Sequence, residues 1–324
     1  MQIEGNRFVV TGGAGFIGSH LTDALLERGA HSVVVLDSLE LGTENNLADN
    51  PRIELFPFRL GQDSPHRLGA ALRGASGLFH LAAVKRDGDP ERMLATTGVG
   101  PHPLLAGARR SEIAKVVFAS SVLAYGRAGG HVMEEHERCE PQSVYGVSKL
   151  AGEHLLGAVL DPAGIPHVAL RYFFVYGPRQ SCGKDRNTVV IETLTRLARG
   201  EAPRRVAGGE QALDSIYVED VVRATLLAMV KPADHRTYNV CTGRALRVRD
   251  LVEQCRALFA GSRPCEPAPP DATHGTVRVG SPALAARELD FHAEIPVERG
   301  LARTKAWLET VDEALLEGIL RCSG

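Results

Sequence analysis

The chain has 324 residues, of which 44% are hydrophobic, 23% charged and 5% aromatic, and 37 Lys and Arg against 39 Asp and Glu leave a net charge of −2. That size allows one large domain or two smaller ones with ample core material. The near-neutral balance excludes the broad basic footprint of a nucleic-acid binder but leaves room for a local phosphate pocket. Apolar runs fall short of the ~18 residues of a membrane span. The opening residues lack the charged, apolar and small-residue succession of a leader, so a cytoplasmic protein with no membrane partner is expected.

In chain order, Arg7-Phe8-Val9-Val10-Thr11 reads as a short strand. Residues 18–28 carry Leu21, Ala24 and Leu25 at helical spacing. Val33-Val34-Val35-Leu36 is a second strand ending at Asp37, and 77–81 and 115–119 are two more. The pattern returns at 168–172 and 238–240. Continuous apolar strands separated by helices predict an α/β fold with a parallel sheet covered on both faces. After 172 the alternation is irregular. Gly177-Pro178 and Gly208-Gly209 separate helices expected around 188–199 and 218–230. The Pro-dense stretch 263–270 reads as a linker or loop, and 302–319 as one last helix. Six cysteines, at 139, 182, 241, 255, 265 and 322, form no C-x-x-C pair. Free thiols are expected, and no histidine grouping suggests a metal.

Thr11-Gly12-Gly13-Ala14-Gly15-Phe16-Ile17-Gly18 follows the first strand and opens the first helix. Gly12 and Gly15 allow a tight turn and close approach of backbone to a pyrophosphate, while Gly18 lets the helix pack on the sheet. The helix N-terminus, with Phe16 and Ile17 in its first turn, offers N–H groups and a positive dipole end. Asp37 lies 19 residues beyond Gly18, where a carboxylate accepts both ribose hydroxyls of NAD and repels the 2′-phosphate of NADP. A glycine pattern alone is weak; with a strand before, a helix after and this acid, it predicts a dinucleotide site.

Tyr145-Gly146-Val147-Ser148-Lys149 puts a phenol and an ammonium at i and i+4 on one helical face. An ordinary tyrosine, with a pKa near ~10, is a poor base. A neighbouring ammonium favours the phenolate, and Tyr145 then takes the proton of a substrate hydroxyl as hydride leaves for the cofactor. Ser121, just after the strand 115–119, is the third member and orients the same substrate oxygen.

With these residues in place the chain resembles the extended short-chain dehydrogenase/reductase family, in particular its sugar-nucleotide epimerases and dehydratases. The resembling segments are 11–21, 36–37, His80-Leu81-Ala82-Ala83, 120–126, 141–153, 171–180 and 216–224, in the family's order. The resemblance implies a Rossmann-type doubly wound sheet with a smaller C-terminal α+β substrate domain. On this chain the boundaries are 1–172 with 214–242 for the NAD-binding part, and 173–213 with 243–324 for the substrate part, partly interleaved. It also implies that Lys149 binds the nicotinamide ribose and that Ala82 and Phe173 line the cofactor site. A homodimer through the Tyr145 helix and the helix before it is implied as well.

Family members begin by oxidising a sugar carbon, usually C4, with bound NAD. Dehydratases carry an Asp-Glu pair after the serine and decarboxylases a Glu; this chain has Val122 and Leu123, which move no proton. Epimerisation needs no further acid or base, so an NAD-dependent epimerase of a sugar or sugar nucleotide is the first reading. A dehydrogenase or ketoreductase of a non-nucleotide sugar, aminocyclitol or nucleoside is the alternative, with a dehydratase behind it and a non-catalytic NAD sensor last. An acid for dehydration would have to come from another loop, such as Glu134 or Glu135.

The substrate side departs from the family pattern. Phe174 stands where Asn usually meets the diphosphate, Leu213 where an Arg binds the nucleotide, and Asp271 near the place of a C-terminal Gly-Asp pair whose preceding Arg is missing. Replacement contacts are sought in Arg179 and Arg278, with Lys184, Arg186, Arg204 and Arg205 behind them. Lys85 and Arg86 meet a substrate oxygen or stand as a solvated pair. Arg59 falls where an Asp often touches adenine, and His80 reads as a packed strand-end histidine.

Overall fold

Strand residues alternate between two apolar clusters, and that alternation builds the layers. Phe8, Val10, Val33, Val35 and Phe79 pack with Leu21, Leu25, Val221 and Met229. Val9, Val34, Leu36, Leu78 and Phe118 pack with Leu72, Leu104, Leu156 and Leu160. A strand buried on both faces reads as an unbroken apolar run, which is why the sequence showed these strands clearly. The computed structural model describes residues 1–84, 89–181, 189–269 and 275–320, without the side chains of 205–207.

The first half contains β1 (Arg7–Thr11), α1 (Phe16–Glu27), β2 (Ser32–Asp37), β3 (Ile53–Pro57), α2 (Leu68–Leu72) and β4 (Gly77–His80). It continues through α3 (Pro90–Met93), α4 (Pro101–Arg109), β5 (Lys115–Ser121), β6 (Val132–Met133), α5 (Val144–Leu160) and β7 (His167–Tyr172). The second half holds β8 (Phe174–Tyr176), α6 (Val189–Ala198), β9 (Arg204–Val206), β10 (Ala212–Leu213), β11 (Ser215–Tyr217), α7 (Val218–Val230) and β12 (Arg236–Val240). Beyond it lie β13 (Leu246–Arg247), α8 (Val248–Ala257), β14 (Glu266–Ala268), β15 (Val277–Gly280), α9 (Ala283–Leu289), α10 (Val297–Leu308) and α11 (Glu313–Leu320).

Seven strands form one sheet in the order β12-β7-β5-β4-β1-β2-β3, all pairs parallel. The order reverses between β1 and β4, so a crevice opens at their carboxyl ends, where doubly wound sheets bind ligands. The α/β, doubly wound architecture expected from the sequence is therefore present. A smaller sheet, β13-β10-β15-β6, and the pairs β11-β8 and β14-β9 lie outside it. Among the described residues no helix is long and apolar enough to cross a membrane.

Three local expectations change. The helix expected over 302–319 is two helices, because Asp312 accepts from the Leu315 amide at 2.8 Å and starts α11 anew. Within the stretch read as a linker, Glu266–Ala268 forms β14 and pairs in parallel with β9; Pro267 is tolerated because that two-stranded ribbon is all edge. Strand β3 carries a half-buried, partly polar pattern and has no counterpart among the expected strands.

Candidate active site

The glycine turn is tightened around a backbone contact. Gly12 has a φ of 69°, and a β-carbon there would lie 2.9 Å from Ala82 Cα across the crevice between β1 and β4. A β-carbon on Gly18 would sit 2.1 Å from the Gly12 carbonyl. Only glycine permits these approaches. Thr11 fastens the two sides: its Oγ1 accepts from the Leu81 and Ala82 amides, both at 3.1 Å, and stands 2.6 Å from His80 Nδ1. With its acceptor sites taken, Thr11 donates to His80 Nδ1, leaving the imidazole proton on Nε2. Burial pushes the His80 pKa down to about 3, aided by the Lys149 charge, so His80 is the neutral, packed strand-end residue the sequence suggested.

Helix α1 begins at Phe16 with Gly15 as a cap that supplies no side chain. Its first turn holds no acid, which leaves the positive dipole end to an anion. Phe16 and Ile17 lie half-buried in that turn. Asp37, 6% exposed, accepts from the Ala14 amide at 3.0 Å and from the Leu39 amide at 2.9 Å. The carboxylate at the end of β2 thus faces the glycine turn. Arg59 pairs with Glu40 at 3.3 Å.

The second half of the site is built by α5 lying close on the end of β5. Ser143 caps α5, accepting from the Gly146 amide at 3.1 Å. A β-carbon on Gly146 would lie 2.3 Å from the Leu123 carbonyl, so the helix start touches the turn that follows Ser121. Ser121 is the last residue of β5, and its Oγ accepts from Leu123 N at 3.2 Å. Lys149 Nζ lies 5.6 Å from the Tyr145 ring centre and donates to the Ala119 carbonyl at 2.8 Å. Buried to 2% exposure, Lys149 is pushed down to about 7 by desolvation, opposed by Glu153. The fold brings Ser121, Tyr145 and Lys149 to one place.

Sequence reasoning missed the groups behind this stripe. Glu153, one turn beyond Lys149, accepts from Ser120 Oγ and is clamped by Arg171 at 3.0 and 2.7 Å. Arg171 stacks over Tyr125, whose hydroxyl donates to Asn239 Oδ1 at 2.7 Å. The available signal was the i, i+4, i+8 run Tyr145, Lys149, Glu153. Glu135, raised by burial, accepts from the Asn239 amide at 2.9 Å and belongs to this network.

On the substrate side, Phe174 and Leu213 line one recess with Tyr176, Gln180, Val189 and Leu251. Gln180 donates to the Val175 carbonyl at 3.0 Å, and its Oε1 has no partner among the described residues. Arg278 is buried on β15 beside Leu213 and donates to the Gly126 carbonyl at 2.8 Å. Arg179 is not among the residues lining that recess and pairs with Asp23 of α1 at 2.7 Å. Phe173 is buried with Val122, Tyr125, Met133 and Cys241. Arg204 lies 3.7 Å from Glu192. Lys85, Arg86, Lys184, Arg186, Asp271, Cys182 and Cys322 lie outside the described residues, as does the Arg205 side chain. Cys139, Cys241, Cys255 and Cys265 are free thiols.

Residues 8–241 match the family model described as the NAD dependent epimerase/dehydratase family. The chain belongs to that family. It is 30% identical over 315 residues, 93% of this chain and 98% of the relative, to a putative UDP-glucose 4-epimerase of Methanocaldococcus jannaschii. Among solved structures it is similar to UDP-glucose 4-epimerase from Thermotoga maritima with UDP-glucose, with a TM-score of 0.86 and 30% identity, covering 94% of this chain and 98% of that one. The UDP-glucose 4-epimerase of Thermus thermophilus with NAD gives a TM-score of 0.84 and 31% identity, over 94% and 100% of the two chains. Family membership makes the chain an NAD-dependent enzyme. The Gly12–Gly18 cradle, which β-carbons would fill, fits that cofactor.

Proposed function

We propose that the chain is an NAD-dependent 4-epimerase of a sugar nucleotide. The observation that carries this reading is the juxtaposition of Tyr145 and Lys149 on α5 with Ser121 at the end of β5, followed by Val122 and Leu123 where a dehydratase needs an acid and a base. Relatives named as UDP-glucose 4-epimerases support it.

Gly12, Gly15 and the amides of Phe16, Ile17 and Gly18 would hold the pyrophosphate, Asp37 the adenosine ribose and Lys149 the nicotinamide ribose, with Ala82 and Phe173 alongside. When bound there, NAD would supply the reversible hydride chemistry that inversion at the sugar ring carbon requires. Ser121 binds the C4 oxygen and orients it. Tyr145, as phenolate, removes that hydroxyl's proton and later gives it back, while the Lys149 ammonium stabilises the phenolate. Gln180 Oε1 and Arg278 bind the substrate near the recess, and Phe174 packs against it.

The division into 1–172 with 214–242 and 173–213 with 243–324 belongs to the reading: the first part holds every strand of the main sheet, while its β6 joins the smaller sheet and its β11 pairs with β8. A cytoplasmic homodimer is part of the reading. Val99 and Val147, 64% and 44% exposed, lie on the adjacent 94–99 segment and α5 that would form its interface.

The test is incubation of the purified protein with UDP-glucose, UDP-galactose and UDP-N-acetylglucosamine while product and NADH are followed together. Interconversion without net NADH is expected. Stoichiometric NADH, or failure to bind NAD at all, overturns the proposal.

A further inference from the structure

The sequence offered no histidine grouping because the two histidines concerned are 68 residues apart along the chain. The fold assembles one from Asp161, His167 and His235 at the amino ends of β7 and β12, away from Gly12 and Ala82 at the carboxyl ends. Asp161 caps the end of α5, His167 opens β7, and His235 directly precedes β12. Parallel pairing of Arg236 with Val168 sets His235 beside His167, and the His235 amide donates to the His167 carbonyl at 2.7 Å.

The donor atoms converge. Asp161 Oδ1 lies 2.9 Å from His167 Nε2 and 2.7 Å from His235 Nδ1, and the two nitrogens are 3.3 Å apart. A tetrahedral ion with bonds of about 2.0 Å separates its ligands by about 3.3 Å, so small outward shifts of the carboxylate convert this triangle into one face of a coordination shell. His167 is buried, whereas Asp161 and His235 reach solvent, which leaves the remaining positions to water.

The triangle is also held in advance. Lys115 Nζ donates to the carbonyls of Lys231 at 2.8 Å and Ala233 at 3.2 Å, and pairs with Asp234 at 2.7 Å. That grip fixes the turn ending at His235, whose φ is 57°, a left-handed conformation that a residue other than glycine keeps only when its surroundings hold it. Two imidazoles and one carboxylate suit a borderline divalent ion.

We propose that Asp161, His167 and His235 bind a divalent transition-metal ion of the zinc class, which ties the end of α5 to β7 and to the edge strand β12. The site is structural, separate from the catalytic groups.

The test titrates chelator-treated full-length protein with Zn²⁺ by calorimetry and thermal unfolding, and with Co²⁺ by visible absorption. One equivalent should bind, the unfolding temperature should rise and fall again with excess chelator, and Co²⁺ should give a tetrahedral-type spectrum. His235→Ala and Asp161→Ala alter exposed side chains, so they should stay folded with unchanged turnover, yet weaken Zn²⁺ binding about tenfold or more. Absence of saturable binding would mean that Asp161 merely accepts two imidazole N–H bonds, and the proposal fails. It fails equally if binding survives both variants, because the ion then sits elsewhere, for instance on His131 and Glu137.

Discussion

Lys149 Nζ donates to the Ala119 carbonyl at 2.8 Å from a position 2% exposed to solvent. Burial holds its pKa down near 7, well below that of the unfolded chain. Between about pH 7 and pH 10 the unfolded chain keeps a proton that the native lysine has lost, so this group's destabilisation is full below 7 and fades as pH rises. The unfolding free energy of the wild type, relative to Lys149→Met, should therefore increase across that window. Chemical denaturation of both proteins at several pH values measures it, and a constant difference would refute the assignment.

Glu153 opposes that depression through its charge, and Arg171 holds it in place through two hydrogen bonds. Glu153→Gln keeps one acceptor oxygen and removes the charge, so Lys149 should lose its proton at still lower pH. If the ammonium supports the Tyr145 phenolate, the alkaline limb of kcat/KM moves to lower pH in this variant while substrate KM changes little. Leaving Arg171 buried without its counter-charge, at side-chain exposures of 6% and 7% for the pair, should cost about 3 kcal/mol of stability. An unshifted limb in folded protein would reduce Glu153 to a purely structural role.

The cradle ranks its own glycines. A β-carbon on Gly18 meets the Gly12 carbonyl at 2.1 Å, whereas one on Gly15 meets it at 3.1 Å. Gly18→Ala should destabilise by about 1–3 kcal/mol, the usual range for overpacking, and abolish NAD binding. Gly15→Ala should leave the fold intact and weaken NAD alone. Thermal unfolding with and without NAD separates the two, and equal behaviour would contradict the geometry.

How much of this was legible in the sequence depended on range. The Thr11–Gly18 turn, Asp37 and the Tyr145–Lys149 pair are local patterns whose chemistry follows from spacing, and the fold placed them together. The pairing of Arg179 with Asp23, 156 residues away, was not legible in the sequence. Asp161 and His167 lie six residues apart, but His235 joins them only through the pairing of β7 with β12, which no local spacing encodes. The break before α11 did carry a signal, since Asp312 stands three residues before Leu315 as a helix cap.

Tyr145 and Ser121 should separate chemistry from cofactor binding. Tyr145→Phe removes the proton acceptor and should lower kcat by about 10²–10⁴ while NAD affinity stays near wild type. Ser121→Ala should cut kcat less and raise no barrier to NAD. Rapid-quench turnover with NAD-saturated protein measures both, and full activity in Tyr145→Phe would overturn the proposed base.

Phe174 offers the sharpest test of the substrate side. It lines a recess with Leu213, Val189 and Leu251, where Gln180 and Ser215 are the polar side chains besides Tyr176. A diphosphate beside such apolar groups gives up hydration without gaining a donor there, and a hydrogen bond to a charged group is worth about 1.5–3 kcal/mol. Phe174→Asn places a donor at this half-buried position and should tighten UDP binding by about tenfold or more. It should also cost some stability, because Phe174 packs against the main core. Calorimetric titration with UDP decides between two arrangements. Tighter binding would place the diphosphate at the recess; unchanged or weaker binding would place it on other groups, with Phe174 packing against the base or the sugar.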